Sequence, residues 1–141
     1  MKKKPRFQLT LKVGHPDLSA EEIASAFDLP TTKMQTVGEP KITRTGRILG
    51  GNWRETNVSF RKSDGPFYFD DFDIEELIWK FLECFDGSYT AHLAETGGGS
   101  VFFIGVFTDD NIEFDFSWEL MEDLAKAKIR IWYDVYGGPE D

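Results

Sequence analysis

The chain has 141 residues, 40% of them hydrophobic and 15% aromatic, including 13 Phe and 4 Trp. That length fits a single domain, residues 1–141, and that composition excludes a disordered chain. The net charge of −9 argues against nucleic acid as a partner, the lone Cys84 excludes an internal disulfide, and no apolar run approaches a membrane span.

Charge is unevenly spread along the chain. Residues 1–62 carry +6, residues 63–125 carry −15, and residues 126–141 are neutral. A block this acidic favours a basic partner through long-range attraction. It also has a plainer use, solvating a domain that exposes many aromatics. Lys2-Lys3-Lys4 is like the basic start of a signal peptide, but FQLTLKV alternates and offers no apolar core for one. The expected location is cytoplasmic, with no membrane partner.

In chain order, RFQLTLKV (6–13) puts Phe7, Leu9, Leu11 and Val13 on one face, which predicts a half-buried strand. Gly14-His15-Pro16-Asp17 turns it into a short helix over about 20–28, capped by Ser19 with Glu22 completing a capping box. Residues 33–48 hold one or two strands. NWRETNVSF (52–60) reads as another, after a Gly50-Gly51 turn. A second helix, about 74–86, is capped by Asp73, carries Leu77, Ile78, Phe81, Leu82 and Phe85 on one face, and stops at Gly87. SYTAHLAE (88–95) and VFFIGVF (101–107) read as strands around a Thr96–Ser100 hairpin loop, with IEFDF (112–116) a further strand. Ser117 caps a third helix, about 118–127, which leads into IRIWYDVY (129–136).

The predicted order is β-α-β-β-α-β-β-β-α-β. This is an α+β fold with an antiparallel-rich sheet and three short helices on one face. Residues 7–28 and 101–127 share a strand-then-Ser-capped-helix plan, the second with an added strand, which raises two related halves.

The first strand with HPDLSAEEIASAFDL, then VGEP, the strand bearing Trp53, the acidic helix after residue 73 and the final IWYDVY together form a pattern. In it the chain resembles the bacterial family catalogued as domain of unknown function 4279. The likeness covers nearly the whole chain, with TRTGRILGG (43–51) a local departure. It implies a small bacterial α+β domain, and it raises a role as an immunity protein that neutralises a toxin-like basic partner. It supplies no catalytic residues.

Four features invite a chemical reading. His15 beside Asp17 has the elements of a general base, but no serine, cysteine or metal motif partners it, so a strand-to-helix corner explains it better. His92 fits an exposed strand position, and Cys84 a small buried hydrophobe. His15, Cys84 and His92 lack the close spacing of a zinc site. Asp109-Asp110-Asn111-Ile112-Glu113 begins like a calcium loop but has Phe114 and Leu120 where that loop needs Gly and Glu. No metal and no cofactor is expected, and no catalysis.

The candidate interface joins aromatics to carboxylates: Phe67, Tyr68, Asp70, Asp71, Asp73, Glu75 and Glu76, with Asp109 and Asp110. The expected function is a non-catalytic protein-binding module, such as an immunity-type inhibitor. A small-ligand or oligomeric module is the alternative, and a small enzyme using His15 comes third.

Overall fold

A computed structural model describes residues 4–43, 45–63 and 65–137. Lys2 and Lys3 of the basic opening, Arg44 of the 43–51 stretch, and three acids of the charge inventory (Asp64, Glu140, Asp141) lie outside them. The elements in chain order are β1 (Arg6–His15), α1 (Ala20–Ala24), β2 (Thr31–Gln35), β3 (Pro40–Ile42), β4 (Ile48–Asn52), β5 (Thr56–Phe60), β6 (Phe67–Tyr68), α2 (Ile74–Leu82), α3 (Gly87–Glu95), β7 (Gly99–Phe107), α4 (Trp118–Lys126) and β8 (Ile129–Tyr136).

The fold is α+β, as the sequence predicts, with four helices among the described residues rather than three. The main sheet runs β2-β5-β1-β7-β8, with β6 paired to the start of β1; β3 and β4 form a separate hairpin. β1 is central because its alternation buries Phe7, Leu9, Leu11 and Val13 completely on one face. In register with them stand Phe102, Ile104 and Val106 of β7 and Val58 and Phe60 of β5. Against this face the helices place Ile23, Ile78, Phe81, Leu93, Leu120 and Leu124, all in one buried cluster. The predicted caps form at all three starts: Ser19 accepts from Glu22 N–H, Asp73 from Glu75 N–H, and Ser117 from Leu120 N–H.

Several expectations are corrected. SYTAHLAE is not a strand but most of α3. Its apolar residues fit both periods, since Tyr89, Ala91 and Leu93 alternate while Tyr89, Thr90 and Leu93 share a helical face. The ends decide. Asp86 caps the helix by accepting from Ser88 N–H at 2.9 Å. The backbone and side-chain bonds from Ser88 hold that carboxyl below the usual aspartate range. At the other end Gly97 takes φ +98°, Gly98 N–H reaches Leu93 O at 2.7 Å and Gly97 N–H reaches Ala94 O at 3.3 Å. This is a Schellman closure, so Thr96–Ser100 is a helix-to-strand turn and not a hairpin loop.

Gly87 likewise begins α3 rather than ending α2, which stops at Leu82. Gly50 and Gly51 do not turn the chain but lie within β4 at positive φ. Residues 112–116 form no strand. Ile112, Phe114 and Phe116 are half-buried while Glu113 and Asp115 are exposed, so the alternation is real. An extended segment packed on one side produces it without a strand partner. The chain then crosses through α4 and returns as β8, parallel to β7. A crossover of that length permits parallel pairing, which a hairpin does not.

Candidate functional site

His15 is 4% exposed and fully engaged. The backbone N–H groups of Asp17 and Leu18 both donate to its Nδ1, at 3.0 and 3.1 Å. That assigns the ring proton to Nε2, which lies 2.8 Å from Thr96 Oγ1. The Thr96 hydroxyl passes its own proton on to the end of α3, at His92 O or Leu93 O. Asp17 therefore meets the ring with its backbone, not with a carboxylate that would orient a base. The histidine bolts the β1–α1 corner to the C-terminus of α3. His15→Ala leaves the Asp17 and Leu18 N–H groups without their acceptor and removes one of the bonds at Thr96 Oγ1, and a loss of about 3 kcal/mol is expected in urea denaturation. An unchanged unfolding midpoint would overturn this role. His92 is exposed, as expected, but on a helix. Cys84 is half-buried, with its thiol directed at Lys80 O.

The candidate interface residues divide three ways. Phe67 sits on β6 opposite Phe7 and stacks on it at 5.5 Å, closing the core. Tyr68, its neighbour, pairs with Arg6 and faces the opposite side of the sheet. Glu75 turns inward along α2. Its carboxylate accepts from Ser117 N–H (2.6 Å), Ser117 Oγ–H (2.7 Å) and Trp79 Nε1–H (3.2 Å). The Ser117 hydroxyl, then its backbone N–H, hold that carboxyl below the usual glutamate range.

Asp70, Asp71, Asp73 and Glu76 do come together, and they gain partners from elsewhere. They line an open groove of about 540 Å³ with Glu113 and Asp115 of the 112–116 segment. Its apolar surface comes from Phe69, Phe72, Ile74, Ile112 and Phe114. Phe69 stacks on Phe114 at 5.9 Å, which holds the two walls together. Phe72 remains 44% exposed. A second groove of about 980 Å³ shares residues 112–115 with the first and is lined also by Asp110, Tyr133 and Val135. Asp109 is exposed on the adjoining turn and lines neither groove.

The result is a trough with seven carboxylates along its length. Lys4 approaches Asp70 at 4.0 Å and Lys80 approaches Glu76 at 3.7 Å. Both pairs are exposed and contribute little. Among the described residues no group of three His, Cys, Asp or Glu is placed to hold a metal ion. No helix among them is long and apolar enough to cross a membrane.

The opposite face of the sheet is different. There Lys12 lies 4.3 Å over the Phe103 ring, Arg6 lies 5.2 Å over Phe107, and Arg61 donates to Thr10. The acids of the trough and the bases of β1 thus occupy different faces, a segregation that net charge conceals.

Sequence reading missed Glu113, Asp115, Phe114 and Ile112 as members of the site. Their signal was the alternation over 112–116, which points to one-sided burial but not to what lies across from it. Comparisons with family models, with curated proteins and with solved structures return no match.

Proposed function

We propose that the protein is a non-catalytic binding module whose trough seats a basic protein segment, in the manner of an immunity-type inhibitor. The observation that carries this reading is the groove in which Asp70, Asp71, Asp73, Glu76, Glu113 and Asp115 surround exposed aromatic surface. Like charges held this close repel one another, and a cationic partner relieves that repulsion while the rings supply desolvated contact area. The engagement of His15 in the β1–α1 corner weighs against its use as a general base.

The test is co-expression with products of neighbouring genes, followed by binding kinetics on any stoichiometric basic partner. Raising salt from low to moderate is expected to slow association about tenfold. Reversing Asp70, Asp71 and Glu113 to Lys together is expected to abolish the complex and leave folding intact, since all three are exposed and none caps a helix. A cognate complex indifferent both to salt and to these reversals would overturn the reading.

A further inference from the structure

A second surface, independent of the chemistry of the trough, lies at the edge of the sheet. β8 is the terminal strand, and among the described residues nothing pairs with its outer side. It pairs with β7 without interruption over eight residues, with no bulge, and contains neither Pro nor Gly. Edge strands usually carry such features, or inward charges, to prevent pairing with another chain. β8 instead exposes apolar side chains on both of its faces. Trp132 and Tyr136 are 57% and 45% exposed on the open face; Tyr133 and Val135 are 57% and 54% exposed on the helical side.

The backbone phase of this edge is determined. Thr108 N–H donates to Tyr136 O, so the backbone groups of Tyr136 face β7. By alternation those of Arg130, Trp132 and Asp134 do too, while those of Ile129, Ile131, Tyr133 and Val135 point outward. The strand has only two charged residues, Arg130 and Asp134, which are opposite in sign and flank Trp132 symmetrically. Arg130 forms no ion pair among the described residues.

We infer that β8 pairs antiparallel with β8 of a second copy of the chain, about a two-fold axis at Trp132. In this register Arg130 of each copy stands directly across from Asp134 of the other, at the closely spaced non-hydrogen-bonded positions. Ile131 faces Tyr133 and Ile129 faces Val135, and these outward-facing pairs exchange their backbone hydrogen bonds. The contact is isologous, so it closes at a dimer. It joins two sheets into one and sets the exposed side chains of β8 beside those of the second copy, Trp132 against Trp132 on the axis. Tyr133 and Val135 also wall the wider groove, so the second copy extends that wall.

The experiment is light scattering and sedimentation of the full chain across a concentration series. The unaltered protein is expected to be a dimer. Arg130→Asp and Asp134→Arg each set like charges across the axis twice, and each is expected to weaken the dimer by about tenfold or more. Mixing the two variants restores both ion pairs, so an equimolar mixture is expected to form a heterodimer. Both residues lie outside the acidic groove, so loss of the dimer is distinguishable from loss of a basic partner. A monomer at all concentrations, or a dimer unaffected by either variant, would overturn the inference. So would a mixture that remains as monomeric as its components.

Discussion

Gly98→Ala is expected to destabilise the fold by about 3 kcal/mol, a loss as large as that expected for His15→Ala. A Cβ at residue 98 would stand 2.5 Å from Gly14 O, 2.9 Å from His15 Cδ2 and 3.0 Å from Leu93 O. Two of these three atoms are backbone, and the third belongs to a ring fixed by its hydrogen bonds. None can give way without moving a strand or the end of α3. The close approach exists because the Schellman turn, the His15 corner and the start of β7 converge on one point. Gly99→Ala is the control, because a Cβ there meets nothing within 4 Å. Chemical denaturation of both variants checks the prediction. Equal midpoints would show that the convergence relaxes freely.

Glu75→Ala is expected to cost about 2 kcal/mol at neutral pH. Its carboxylate accepts three hydrogen bonds, two of them from Ser117 at the start of α4. Ser117 Oγ donates to Glu75 and accepts from Leu120 N–H, so losing the carboxylate also loosens the α4 cap. Half-exposure of the residue keeps the figure at the lower end for charged bonds. The pH dependence follows from the lowered native pKa. The unfolded chain binds the proton more tightly than the native one. The stabilisation is therefore fully present above the unfolded-state value and is lost as pH falls through the native value. The gap between the unaltered protein and Glu75→Gln should narrow as pH falls below the ordinary glutamate range and through the lowered native value. A gap that widens toward acid would contradict the assigned direction.

The same residue shows how far a candidate site is legible from sequence. Glu75 and Glu76 are adjacent acids in the first turn of α2, and the only local difference is the residue four positions on, Trp79 for Glu75 and Lys80 for Glu76. The position of Ser117, which supplies two of the three bonds to Glu75, fixes that carboxylate inward, while Glu76 lines the groove. Tyr68 and Phe67 diverge for a similar reason. Pairing with Arg6 and Phe7 puts consecutive residues on opposite faces. Asp70, Asp71 and Asp73 needed no such information, because a turn entering a helix leaves its acids in solvent and near the helix N-terminus.

What the sequence determined by itself is local and periodic. The alternation of residues 7–13 marked the central strand, and Ser19, Asp73 and Ser117 marked three helix starts. The −15 block marked an acidic surface, because these signals depend only on neighbours a few residues away. Tertiary structure alone decided the identity of residues 88–95, whose apolar residues suit two periods and whose caps carry the choice. It decided that residues 112–116 pack without a strand partner, and that β8 therefore lies parallel to β7. It also assembled the trough from residues 69–76 and 112–115, joined by Phe69 on Phe114. Contacts between such distant segments are set by how the faces of the elements meet over one core, and no spacing within either segment encodes its neighbour across the groove.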